Sequence, residues 1–125
     1  MYVRGIRGAT TVVNNEKNEI LSATTELLHQ IIAENEIVPE DIASVFVTVT
    51  QDLTATFPAM AIRQMPGWDL VPLMCSLEIP VEGSLPLCIR LMVMVNTEKS
   101  QAEMQHVYLK DAMRLRPDLS KLTSA

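Results

Sequence analysis

The sequence predicts an α+β fold, with a β-sheet carrying a long and a short helix on one face. Three observations lead there. Apolar, β-branched runs alternate with two helical patterns in the order β-α-β-α-β-β, followed by a short strand and a tail. The chain has 125 residues, the length of one domain, and so can bury about two-thirds of its unfolded surface without a disulfide scaffold. Hydrophobic residues make up 48% of it and aromatics only 4%, which gives an aliphatic, methionine-rich core. One small core does not hide that much apolar surface. The sheet face that the helices leave uncovered therefore needs a partner, and a buried oligomer interface is expected.

Each element has a local reason. Residues 2–13 read as a strand interrupted by Gly5 and Gly8, positions where another group comes close. Asn14 and Asn15 supply turn or capping chemistry. Residues 16–35 form the strong helix: Ile20, Thr24, Leu27, Leu28, Ile31 and Ile32 make one stripe, and Glu16 and Glu19 favour its positive end. Asn35 closes it and Pro39 prevents extension. Residues 43–50, ASVFVTVT, are a β-branched strand. Pro58 suits the first turn of a short helix that Pro66-Gly67 ends. Residues 71–81 are a long extended run, Glu82-Gly83-Ser84 a turn, and residues 87–95 another strand. Residues 96–103 are polar with room for a helical turn, 107–109 form a short strand, and 116–125 are a flexible tail of one single domain, 1–125.

Composition excludes several classes. A net charge of −5 argues against nucleic acid and anionic membranes as partners, although local arginines can still bind a small anion. No run is long enough to span a bilayer, and MYVRGIRGATTV lacks the apolar core of a signal peptide, so a soluble cytoplasmic protein is expected. Cys75 and Cys88 sit in apolar strand-like runs and read as small buried thiols. His29 and His106 have no metal-ligand spacing, so no metal is expected. There is no nucleophilic triad and no phosphate-binding glycine loop.

What stands out is PLCIRLMVMV, residues 86–95, an apolar run with one arginine. Such a run reads as a strand buried on both faces, and alternation sets Arg90 with Cys88, Met92 and Met94. A guanidinium keeps its charge, so an anion should meet it. Glu78, the lone charge in VPLMCSLEIPV, is as out of place as Arg90; the two either pair or line one cleft. Arg7 stands beside Gly8 in VRGIRGAT, where a ligand can approach the backbone, and alternation puts Arg4 on the opposite face. Tyr108 offers a phenol; Arg63, Arg114 and Arg116 read singly as solvated charges. Several arginines and one carboxylate suit a small polycarboxylate, a description that fixes no reaction.

The segments RGIRGATTV, DLTATFPAMAIRQMPGW, VPLMCSLEIPV, CIRLMVMV and HVYLKDAMRLRPDL occur in this order over residues 4–119. Together they closely resemble the trimeric, monofunctional chorismate mutases of bacteria. The resemblance implies a mixed sheet with a long helix, a fold shared in outline with Rid proteins. It implies a homotrimer with active sites between adjacent subunits, no cofactor, and conversion of chorismate to prephenate by a Claisen rearrangement. It further implies that Arg90 donates to the ether oxygen and to a substrate carboxylate. Arg7 would bind the enolpyruvyl carboxylate with Tyr108, and Glu78 would accept from the ring hydroxyl, with Cys75 nearby. Ser76 and Leu77 fall in the same stretch of the site. Phe57, Ala59, Leu73, Met74 and Leu115 would form apolar walls, with Arg63 and Arg116 at the mouth and the tail partly covering it. Three points depart from this pattern. Alternation puts Cys75 and Glu78 on opposite faces, Met60 stands where some relatives carry a charge, and Gln105 stands where arginine is common. The alternatives are a Rid-type enamine or imine deaminase and a non-catalytic trimeric module for a small dicarboxylate.

Overall fold

Five strands and two helices build the molecule, seen in a computed structural model that describes residues 1–119. The strands are β1 (Tyr2–Thr11), β2 (Ile42–Val49), β3 (Leu73–Leu77), β4 (Cys88–Thr97) and β5 (Val107–Tyr108). The helices are α1 (Lys17–Asn35) and α2 (Ala59–Arg63). Short 3₁₀ turns at Pro39–Asp41, Gln101–Glu103 and Lys110–Arg114 fill connections. The sheet order is β3-β2-β4-β1-β5. β4 lies antiparallel between β1 and β2, while β3 and β5 add parallel edges, so the sheet is mixed.

Both helices cover one face. Ile6, Val45, Val47, Leu91, Val93 and Val95 meet Leu27, Leu28, Ile31 and Ile62 there, all fully or almost fully buried. Fully burying one aliphatic side chain contributes about 1.5–3 kcal/mol, so this layer is a large stabilising term. Gly8 is required by it: a Cβ there would stand 2.6 Å from Ile31 Cδ1 and 3.3 Å from Leu27 Cδ1. The long helix starts one residue later than expected. Its cap is Glu16 rather than an asparagine, because the Glu16 carboxylate accepts from the main-chain N–H groups of Asn18 and Glu19. At its other end the buried Asn35 donates to the Ile31 carbonyl, and Glu36 takes the left-handed conformation that ends the helix.

Three expectations change. β4 is buried on one face only, since nothing among the described residues covers the face bearing Arg90, Met92 and Met94; Phe46, Met74 and Met92 are exposed there. The run 71–81 forms a strand only over Leu73–Leu77, because after the Glu78 N–H bond to Val49 the chain leads away from β2 into a turn. Cys88 is a buried thiol, and burial pushes it up to about 11, but Cys75 is exposed on the edge strand. Residues 120–125 of the expected tail lie outside the described residues. Among the described residues no helix is long and apolar enough to cross a membrane.

Candidate active site

The open face of the sheet gathers the charges. Arg7 of β1, Arg90 of β4 and Thr48 of β2 project from three neighbouring strands, by the alternation that sends Ile6, Leu91 and Val47 to the helices. The Cα partners of Arg90 are Ala9 and Thr48, small residues that leave space above the sheet. Tyr108 of β5, Leu115 and Arg116 close the far side. The result is a cleft of about 420 Å³ with Phe46 and Met92 in its wall.

Arg90 has the carboxylate that its sequence context demanded. Its Nε lies 3.3 Å from Glu78 Oε2. The Arg90 side chain is 48% exposed and that of Glu78 22%, so the pair is held at a surface rather than entombed. Two further bonds fix Glu78: its main-chain N–H donates to the Val49 carbonyl at 2.9 Å, and its Oε2 accepts from the Thr48 hydroxyl. Nε lies against Glu78 and the guanidinium also bonds the Cys88 thiol; with five N–H donors in the fork, others are left for the cleft that Arg90 lines.

Arg7 is held from the other side. Its main-chain N–H donates to His106 Nδ1 at 2.9 Å, and its Nη1 lies 3.2 Å from His106 Nε2. Tyr108 is almost fully buried, and burial raises its phenol above the ordinary value despite Arg7, Arg116 and Arg90 nearby. It therefore stays a neutral donor well past neutral pH. Arg116 is doubly bonded to Asp118, at 3.1 and 2.9 Å; this bond holds the Arg116 guanidinium above and the Asp118 carboxyl below their ordinary values.

The remaining expected residues lie elsewhere in the chain. Phe57, Cys75, Ser76 and Leu77 line a second, apolar concavity of about 740 Å³ together with Val47, Val49, Leu53 and Met60. Cys75 pairs with Val47 and Ser76 with Thr48, so Cys75 looks to the helix side of the sheet and Glu78 to the open side, as alternation requires. Ala59 is buried in the core and Leu73 packs against it, while Met74 and Arg63 are exposed. The described residues thus carry two separate concavities, one lined by Arg7, Arg90 and Tyr108 and one by Phe57, Cys75 and Leu77. Thr48 and His106 escaped sequence reasoning. The alternating VTVT of β2 was a signal for the first, but nothing local marks the second. Among the described residues there is no group of three or more His, Cys, Asp or Glu able to hold a metal.

Comparison with known proteins returns one family. The model for chorismate mutase type I matches residues 3–119. The chain is 48% identical over 120 residues to chorismate mutase AroH of Bacillus subtilis, covering 96% of this chain and 94% of that one. It is 50% identical over 118 residues to chorismate mutase AroH of Thermus thermophilus, covering 94% and 96%. A solved chorismate mutase from Clostridium thermocellum superposes with a TM-score of 0.85 at 48% identity, covering 88% of this chain and 97% of that one.

Proposed function

We infer the action of this chain from one premise: it belongs to the chorismate mutase type I family. It is an isomerase that converts chorismate to prephenate, a Claisen rearrangement in aromatic amino acid biosynthesis. That membership replaces the deaminase and the non-catalytic module as readings.

In the rearrangement an ether C–O bond breaks while a C–C bond forms within one molecule, and negative charge grows on the ether oxygen. The observation that carries the assignment of roles is the Arg90–Glu78–Thr48 cluster at the floor of the cleft. Arg90, its Nε held by Glu78, turns its other donors to the ether oxygen and a carboxylate. A cation fixed beforehand stabilises developing charge without reorganising. Glu78 accepts from the ring hydroxyl. Arg7 and Tyr108 bind the enolpyruvyl carboxylate, which holds the substrate folded so that its ends meet. No proton is transferred, so no general acid or base is assigned.

The open face bears Arg7, Arg90, Glu78, Tyr108, Leu115 and Arg116, with Ser76 on the same side by its pairing with Thr48, whereas Phe57, Cys75 and Leu77 line the concavity on the other side. A substrate cannot touch both sets in one chain. Two sets that one chain cannot join suit a site shared between subunits; with the homotrimer and cytoplasmic setting that the family resemblance implies, the reading is that the β3 edge and the loop before α2 of one subunit close the open face of its neighbour. The exposed Phe46, Met74 and Met92 support it, as an apolar face awaiting cover. Ala59, Leu73, Met74 and Arg63 enter the site only by way of such an assembly.

The test is prephenate formation from chorismate followed by proton NMR, with Arg90→Ala alongside. Rapid conversion by the wild-type protein and near-background conversion by the variant are expected. Equal rates for the two would remove Arg90 from the chemistry. A monomer with full activity would remove the shared site.

A further inference from the structure

β5 is only two residues long, pairing Gly8 with Val107 and Ala9 with Tyr108. The next donor of β1 on that edge is the Arg7 main-chain N–H, and β5 has no carbonyl left to receive it. The His106 ring receives it instead, through Nδ1 at 2.9 Å. A neutral imidazole has one acceptor nitrogen and one donor nitrogen. With Nδ1 accepting, the proton sits on Nε2, which faces Arg7 Nη1 at 3.2 Å. That contact sets donor against donor, so what the neutral ring supplies to Arg7 is the main-chain bond; Arg7 lines the cleft with Arg90 and Tyr108, whereas His106 lines the neighbouring concavity.

His106 is itself placed by a buried clamp. Asn35, at the end of α1, accepts from the Gln105 main-chain N–H at 2.8 Å and donates to the Gln105 carbonyl at 2.9 Å. It also donates to the Ile31 carbonyl at 2.9 Å. The main chain just before His106 is therefore tied to the rigid helix in both directions. The path runs from the core, through Asn35 and Gln105, to His106 and then Arg7.

Resting on the reading of Arg7 as a carboxylate ligand, we propose that His106 is a positioning residue for Arg7, anchored through Asn35 and competent only as the neutral imidazole. Protonation at Nδ1 removes the acceptor for the Arg7 N–H and sets a cation against the guanidinium. The charged groups that act on the ring are Arg7 from β1 and Arg116 beyond the last 3₁₀ turn, the latter already paired with Asp118. Burial first, then these two arginines, hold the ring below its ordinary value, so it is neutral at pH 7 and charges only in acid.

The test is steady-state kinetics on chorismate from about pH 5 to about pH 9, a window above the carboxylate range of the substrate. In the wild type KM rises toward the acid end while kcat changes less, because Arg7 binds ground state and transition state alike. His106→Leu raises KM about tenfold at neutral pH, the cost expected of an orphaned main-chain donor, and abolishes the acid rise. His106→Asn, whose Oδ1 sits where Nδ1 was, recovers KM to within a few-fold and shows no acid rise. A residue that served only the fold would lower the yield of active enzyme and leave KM and its pH profile untouched. Wild-type KM in His106→Leu, or an acid rise that persists in His106→Asn, overturns the proposal. Arg7→Ala with unchanged KM instead overturns the reading of Arg7 beneath it.

Discussion

Replacing Arg90 by lysine keeps the charge and removes the geometry, which makes it the sharpest probe of the site. The guanidinium has five N–H donors in a fixed fork; Nε faces Glu78 Oε2 at 3.3 Å, Cys88 takes a further bond, and donors remain for the substrate. A lysine ammonium is a single point on a flexible stem. Held by Glu78, it leaves the ether oxygen unattended; turned to the oxygen, it abandons Glu78. Loss of one preorganised donor to a developing oxyanion costs roughly 3–4 kcal/mol, about 100- to 1000-fold in kcat. Stability should hardly move. Both partners are partly exposed, and pairs of that kind contribute only about 0–1 kcal/mol. The assay is prephenate formation by NMR on a variant whose urea midpoint lies close to that of the wild type. A folded Arg90→Lys enzyme within a few-fold of normal kcat would refute the argument that fork geometry, rather than charge, drives the reaction.

Three further outcomes are expected. Above neutral pH the activity of the wild type stays flat to about pH 9, because arginines do not titrate there and burial raises Tyr108 past its ordinary value; a basic limb near pH 8 in kcat would reveal a general base. Cys75 reacts with a maleimide in the native protein and prephenate slows that reaction, whereas the buried Cys88 reacts only on unfolding; unprotected labelling of Cys75 would count against its half-site meeting the substrate. Gly8→Ala loses about 1–3 kcal/mol in urea denaturation, since the new Cβ overpacks Ile31 and Leu27 in a core with no slack; an unchanged midpoint would mean that this seam is loosely packed.

The order of elements was legible because each has a local cause: the aliphatic stripe of α1, Pro58 ahead of α2, and β-branched residues in β2. Boundaries drifted where the cause was not local. The run 71–81 looks uniform, yet β3 stops at Leu77 because β2 offers no partner beyond Val49. Likewise Arg90 and Glu78 were conspicuous as lone charges in apolar runs, and they do meet. That Arg90 would be half-exposed was not legible. Alternation says which face a side chain occupies but not what covers that face, and here nothing among the described residues covers it.

His106 shows the same limit from the other side. In sequence nothing beside it points to Arg7, and spacing arguments dismissed it because they test only for metal ligands. Its partner Arg7 is 99 positions away, brought alongside by two parallel pairs between β1 and β5. A strand of two residues carries almost no signal, so neither the pairing nor the donor it leaves unmet can be foreseen. Once the pairing exists, the requirement follows directly. The main-chain N–H of Arg7 lies beyond the last rung, part-buried, and needs an acceptor. A side chain that supplies one at residue 106 also fixes the strand from which the guanidinium projects. Under the role proposed for His106, the shortness of β5 couples an ordinary demand of the fold to the alignment of Arg7.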